Sequence, residues 1–392
     1  MSTAMFTRER DRDGAAGKDL GSVTSDRFQI SIAQISDTTP FPSFSKPFIV
    51  GCFSLIKADR FFAEGPCSLK FCHLPASQYV KFDLNRHLQQ HPQAFPNDNM
   101  EETSLEETSA LVHLLNWIHR HEERFKRRRP HFVFYRGLIT KLLCTPYENL
   151  EGWKIAAMSK NNTIYIRNLE TPESISNRQK FNSNPRLKRF SQWGYAFEHF
   201  LLSDDPLQKP DPSKGSTDEC NFVFHAKLGN HDLLYAAEID GVMTKKGDDS
   251  NPKKRPDLLL KSELVELKTT RQFPGGQMPH NFRKHNLRKW WCQSFLVGVT
   301  SILMGLRDDE GVVHELKLLP LEMLPKLAST EWSSTVCFNF LDQLLTEIKK
   351  AVNGDESSVY VIEYKPERKV QGHITLKVEV EAHSDKLLNN TV

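Results

Sequence analysis

Hydrophobic and polar positions alternate with a period of two in two stretches, 233–240 (LLYAAEID) and 263–268 (ELVELK). Successive side chains of a strand point to opposite faces. A strand over the first stretch puts Leu234, Ala236, Glu238 and Asp240 on one face and Leu233, Tyr235, Ala237 and Ile239 on the other. A strand over the second puts Leu264, Glu266 and Lys268 together, with Val265 and Leu267 opposite. Apolar residues on both faces mark interior strands. Three carboxylates and an ammonium are thereby placed inside the protein.

Around this pair the pattern predicts a mixed set of elements. Strand character runs from Phe28 to Ile32 and over 47–55. A helix opens with a capping box, Ser104 and Glu107, carries Leu111, Leu114, Leu115 and Ile118 at helical spacing, and stops at Arg127-Arg128-Arg129-Pro130. That basic run reads as a solvated helix end, or as a patch facing RNA or an import receptor. The aromatic strand 131–137 sets Arg136 on the side of Phe132 and Phe134, where a phosphate or a carboxylate would satisfy it. A hairpin is expected from 153–158 and 163–168, and a helix over 191–201 with Trp193, Phe197, Phe200 and Leu201 on its apolar side. On that helix Gly194 lies one turn before Glu198, a candidate fourth acid. A long helix is predicted over 281–305. Its Lys289 and Gln293 share a face, and its Trp290 and Trp291 suit either core packing or base stacking. A further helix over 336–352 and strands at 359–364 and 373–380 complete the chain. Polar stretches at 91–102, 244–261 and 271–280 read as loops, so residues 27–382 form one domain between tails at 1–26 and 383–392.

An unpaired buried carboxylate costs several kcal/mol, on the order of the relaxed penalty for one buried ion. A divalent cation such as Mg²⁺, which takes oxygen ligands, resolves that cost. Ordinary cross-strand ion pairs on a half-exposed sheet are the competing reading of Glu238, Asp240, Glu266 and Lys268.

Composition narrows the class. With 392 residues, 39% hydrophobic and 26% charged, the chain can bury a sizeable core. A net charge of +3 means that nucleic-acid affinity must come from local clusters. The sequence has no 18-residue apolar run and no apolar leader, so a soluble, intracellular protein with no membrane partner is expected. Seven scattered cysteines without a C-x-x-C pair fit reduced thiols in nucleus or cytosol.

Taken in order, Tyr135-Arg136-Gly137, Gly194-x-x-x-Glu198, Glu238-x-Asp240, Glu266-x-Lys268 and Lys289-Trp290-Trp291-x-Gln293 resemble the motif series of the decapping exoribonuclease (DXO) family. That family includes the fungal partner protein of the nuclear 5′→3′ exoribonuclease. The similarity extends through TKLLCTPYE (140–148) and the aromatic segment 332–339, spanning residues 28 to 380. The carboxylate–lysine pair also resembles the PD-(D/E)xK nucleases. The resemblance implies an α+β fold, with mixed β-sheets packed together and flanked by helices. It implies that Glu198, Asp240, Glu266 and the Leu267 carbonyl ligate Mg²⁺, with Mn²⁺ as the alternative ion. Glu238 would serve a second metal site and touch substrate. Arg136, Lys268 and Gln293 would hold the RNA 5′ phosphates, Tyr135 and Gly137 would be further substrate contacts, and Arg60 is a weaker match to a substrate arginine. No counterpart of a further acidic substrate contact is found near residue 109.

The implied activity is nuclear RNA 5′-end quality control: release of pyrophosphate, excision of incomplete or NAD-type caps, and 5′→3′ exoribonuclease action. Attack by a metal-activated water would be assisted by Lys268 and Arg136. A catalytically weak scaffold that stabilises a nuclear 5′→3′ exoribonuclease is the rival reading. DNA is not the expected substrate.

Overall fold

The computed structural model describes residues 26–35, 39–56, 61–86, 102–213, 216, 218–244, 251–352 and 354–382. Apart from Asp26, the two expected tails lie outside the described residues, as do Arg60, nearly all of the 91–102 stretch and positions 245–250 of the 244–261 loop. The Ser104 and Glu107 side chains of the expected capping box are outside them as well.

Two sheets form the frame, one of eleven strands and one of seven among the described residues. In the larger, strand His231–Glu238 lies between Phe132–Tyr135, to which it is parallel, and Glu219–Leu228, to which it is antiparallel. In the smaller, strand Leu264–Arg271 runs parallel to Ser301–Arg307 and antiparallel to Gly241–Met243. Both charged strands are therefore interior, as their two-sided apolar pattern requires.

Three cores cover these sheets. Helix Glu102–Arg120 lays Leu111, Leu114 and Trp117 over Phe53, Val133, Val223, Leu234 and Ala236 on one face of the large sheet. On the other face Phe132, Phe134, Phe224, Leu233 and Tyr235 join Leu143, Trp291 and Phe338 from three helices, Arg136–Cys144, Arg288–Phe295 and Ser334–Val352. Helix Pro185–Leu201 packs Trp193, Phe197 and Leu201 on Val265, Leu267 and Leu303 of the smaller sheet. At Gly305 this approach is so close that a Cβ would meet the Phe197 ring at 2.6 and 2.8 Å.

The elements depart from the sequence pattern at three informative places. The large-sheet strand ends at Glu238, so Asp240 does not continue its face. Instead, Ile239 N–H closes on Cys220 O at 3.0 Å and the chain crosses to the smaller sheet at Gly241. There a side chain would crowd Lys70 O at 2.9 Å. Arg136 is not on the aromatic strand. That strand stops at Tyr135, and Arg136 opens the next helix. The helix expected over 281–305 is a π turn, Phe282–Leu287, followed by Arg288–Phe295. Gly298, at φ +72, turns the chain into the β-rich strand Ser301–Arg307.

The hairpin forms as Trp153–Lys160 and Thr163–Leu169, turning through Asn161 and Asn162 at positive φ. Helix Pro185–Leu201 starts six residues before its apolar pattern, where Asn184 Oδ1 accepts from Arg186 N and Leu187 N.

Candidate active site

The crossing between the sheets gathers the charged residues. Glu238 is the last residue of its strand and is exposed; Asp240 follows in the link. The Leu267 N–H donates to Asp240 Oδ2 at 2.6 Å, tying the link to the smaller sheet. One residue before Leu267, Glu266 is only 2% exposed. Its Oε1 lies 2.6 Å from Lys268 Nζ, and its Oε2 accepts from Arg136 Nη1 at 3.3 Å. The period-two spacing that paired Glu266 with Lys268 thus produces an ion pair, and Arg136 enters it from the start of its helix. Glu198 reaches the same group from the last turns of helix Pro185–Leu201, within electrostatic range of Asp240, Glu238, Lys268 and Glu266.

The electrostatics divide these acids into two kinds. For Glu266, burial pushes the pKa up, but Lys268 and Arg136 outweigh it and hold the carboxyl below its ordinary range. The Lys268 ammonium is disfavoured by burial, yet Glu266 and Asp240 raise its pKa overall. Asp240, raised by burial and then by the Glu266 charge, reaches about 7. Burial, then Asp240 and Glu238, lift Glu198 well above the carboxylate range. Fully ionised, the four carboxylates would outnumber the two cations, Lys268 and Arg136, by two charges; the raised Glu198 and Asp240 pKa values show that protons offset this excess when no cation is bound.

This donor set fits a divalent cation in charge and in hard oxygen chemistry. Among the described residues, no three His, Cys, Asp or Glu side chains already converge as metal ligands. The reason is visible in the contacts: Glu266 is committed to Lys268 and Arg136, and Asp240 to the Leu267 N–H. Binding a cation there requires these side chains to turn.

Other expected residues lie around this group. Tyr135 OH donates to Asn221 Oδ1 at 2.9 Å, and Asn221 is the cross-strand partner of Glu238. Gly137 is exposed in the first turn of its helix, and a Cβ there would meet nothing within 4 Å. The same holds at Gly194. Gln293 is half-buried on helix Arg288–Phe295, which packs on the helix that Arg136 begins; no contact brings it to the acids among the described residues. Trp290 and Trp291 are 7% and 4% exposed, which makes them core residues and not a stacking surface.

Asn221 was missed. It is 1% exposed and its Nδ2 has no partner. The available signal was a lone amide in the apolar run CNFVF. Lys70 and His199 also line the cleft beside Glu198, Glu238 and Asp240. Lys70 pairs with Asp204 at 2.6 Å.

A buried E-x-K on a central strand, beside acids at the end of a strand of the other sheet, in the link between the sheets and on a packed helix, defines a nuclease-type core of the PD-(D/E)xK kind. The model of the RAI1 like PD-(D/E)XK nuclease family matches residues 45–392, and the chain belongs to that family. The chain is 33% identical to the decapping and exoribonuclease protein of Bos taurus over 83% of its own length and 80% of that protein. Its fold is that of Scheffersomyces stipitis Rai1, solved with (3′-NADP)⁺ and calcium ion, at TM-score 0.69 and 20% identity, covering 94% of each chain. Candida albicans Rai1, solved with pU5-Mn²⁺, matches at TM-score 0.67 and 19% identity, over 93% of this chain and 95% of that one.

Proposed function

We propose that this chain is a divalent-metal-dependent hydrolase of RNA 5′ ends. It would release pyrophosphate from triphosphate ends and excise incomplete or NAD-type caps, with 5′→3′ exoribonuclease action on the exposed RNA. The observation that carries the reading is the Glu266–Lys268–Arg136 group beside three further acids, two of which, Glu198 and Asp240, are pushed toward the protonated form where a cation could take the proton's place. The C. albicans relative was solved with pU5-Mn²⁺ and the S. stipitis relative with (3′-NADP)⁺ and calcium ion, which supports nucleotide and cation as ligands here. Mg²⁺ is the ion proposed, and the nucleus the compartment.

Glu198, Asp240, Glu266 and the Leu267 carbonyl would hold the cation, with Glu238 toward a second one. When bound, a divalent cation supplies an acidified water and charge neutralisation at phosphorus. The remaining chemistry belongs to this chain. Lys268 and Arg136, which pair with Glu266 when no cation is bound, would supply the positive charge that stabilises phosphoryl oxygens. Gly137 stands in the first turn of the Arg136 helix, where backbone N–H groups lack helical acceptors and suit a phosphate. Tyr135 holds Asn221 against Glu238 and so fixes the wall of the cleft. Gln293 would contact the RNA and not the scissile group.

Labelled triphosphate, unmethylated-cap, methylated-cap and NAD-capped RNAs, incubated with Mg²⁺ and with EDTA, test the reading. Metal-dependent release from at least one of them is expected. Release from none, by folded protein that binds RNA, would replace the enzyme with an end-binding scaffold for an exoribonuclease.

A further inference from the structure

The basic run Arg127–Arg129 and the aromatic Phe48 take no part in the site above, yet they meet at the other end of the same strand. Strand His231–Glu238 places Asp232, Leu234, Ala236 and Glu238 on one face. Leu234 and Ala236 lie beneath helix Glu102–Arg120. Asp232, itself buried, lies six residues from Glu238, about 20 Å away at roughly 3.3 Å per residue. There a cleft of about 350 Å³ opens between Phe48, Val50, Arg124, Arg128, Arg129 and His225.

Its chemistry is that of a nucleotide site. Phe48 is 53% exposed although it is a large aromatic at the start of a sheet strand. Its ring lies against the His225 ring, with centroids 5.0 Å apart. Burial lowers the His225 pKa, keeping that ring neutral at neutral pH. Arg124 donates to the Val50 carbonyl and sits over the Trp117 ring, with no carboxylate partner among the described residues. Arg128 is held by the buried Asp232 at 2.7 Å, with its side chain 70% exposed. Arg129 pairs with Glu122 at 3.1 Å, and Lys126 with Glu123. Arg127, next in the chain to Arg128, is exposed and adds a further charge to the run. Three arginines, Arg124, Arg128 and Arg129, thus line the cleft against two paired acids, Asp232 and Glu122, beside the exposed Phe48 ring. Planar rings beside guanidinium groups are the elements that bind single-stranded nucleic acid.

We propose that this cleft is a second RNA contact, in which a base stacks on Phe48 and the flanking phosphates sit on Arg124, Arg128 and Arg129. An RNA whose 5′ end occupies the acid site would reach it along helix Glu102–Arg120 once it is on the order of four or more nucleotides long. The choice of RNA as ligand rests on the proposed function. The position of the cleft does not.

Binding of a fluorescent trinucleotide and of a 5′-monophosphate oligoribonucleotide of roughly 16 nucleotides tests this on the full chain. The comparison uses wild type, Phe48→Ala, Arg124→Gln with Arg129→Gln, and the surface change Arg127→Gln, which keeps the test valid if a cleft variant fails to fold. Affinity for the long RNA should fall about tenfold in Phe48→Ala. In the double arginine variant the slope of log K against log salt should shrink by about 1.4, two phosphates at roughly 0.7 each. Trinucleotide binding and hydrolysis should be unchanged in every variant. Equal long-RNA affinity and equal salt slope across all four proteins would overturn the proposal. If wild type releases nothing from any of the triphosphate, capped or NAD-capped RNAs, the proposed function fails, and the length-dependent binding still decides the cleft.

Discussion

The sharpest consequence of the acid cluster is that Asp240→Asn should stabilise the metal-free protein while removing its activity. In the unfolded chain Asp240 ionises near its ordinary 3.8; in the fold its pKa is about 7. The folded protein therefore holds an extra proton between those values. Stability declines as pH rises from 3.8 toward 7 and is level above it. A difference of about 3 pKa units corresponds to about 4 kcal/mol at most. Asn keeps an oxygen for the Leu267 N–H, which Asp240 Oδ2 accepts at 2.6 Å, and it removes the charge. Urea unfolding in EDTA at pH 8 should show the variant more stable by about 2–4 kcal/mol, with much of the advantage gone at pH 5.

Mg²⁺ should reverse the ranking. A ligand at a hundred times its dissociation constant adds about 2.7 kcal/mol to a protein that binds it only when folded. Wild type should gain that increment, and Glu238→Gln with Asp240→Asn should gain little. The same double variant should lose on the order of 10³-fold in hydrolysis, several kcal/mol of transition-state stabilisation. Two results would refute the reasoning. One is an Asn variant that is less stable than wild type in EDTA at pH 8. The other is a double variant that Mg²⁺ stabilises as much as it stabilises wild type.

Three further substitutions probe the supports of the site. Lys268→Met leaves the buried Glu266 with Arg136 alone, and should cost about 3 kcal/mol of stability by denaturant unfolding, along with most of the hydrolysis rate. Gly305→Ala drives a methyl group into Phe197 and should shift the helix that carries Glu198, costing about 1–3 kcal/mol of stability and lowering Mg²⁺ affinity measured by calorimetry. Gln293→Ala should raise the KM for RNA more than it lowers kcat; unchanged KM with reduced kcat would contradict an RNA-holding role.

What the chain discloses about itself depends on how local each feature is. The Glu266–Lys268 pair is legible because two residues on one strand face need only the period of that strand. The hairpin at Asn161 and Asn162 is legible for the same reason, since its turn chemistry is written in adjacent residues. Asp240 obeyed the strand period and was placed wrongly on it, because nothing local records that the chain leaves one sheet for the other after Glu238. Arg136 likewise followed an aromatic strand pattern, yet its backbone is helical. The pairing with Glu266 across 130 residues was one of two partners the residue type allowed. Gly298, in the middle of an apolar run, gave too weak a stop to separate a helix from the strand after it.

The distribution of the acids over elements explains why the cluster tolerates so much like charge. Glu238 ends a strand of the large sheet, Glu266 is the third residue of a strand of the smaller one, Glu198 comes from a helix, and Asp240 sits in the link between the sheets. Each element is anchored by its own apolar contacts: Leu234 and Ala236 under one helix, Val265 and Leu267 under another, and Phe197 against Gly305. Burial of those side chains, at roughly 25 cal/mol per Å² of apolar surface, holds the acids together against their repulsion. The repulsion is relieved in part by raised pKa values and in part by Lys268 and Arg136. A cation that replaced the protons on Glu198 and Asp240 would relieve the rest and would also draw the two sheets and the helix to one point. The geometry of the site and the stability of the sheet junction are therefore coupled.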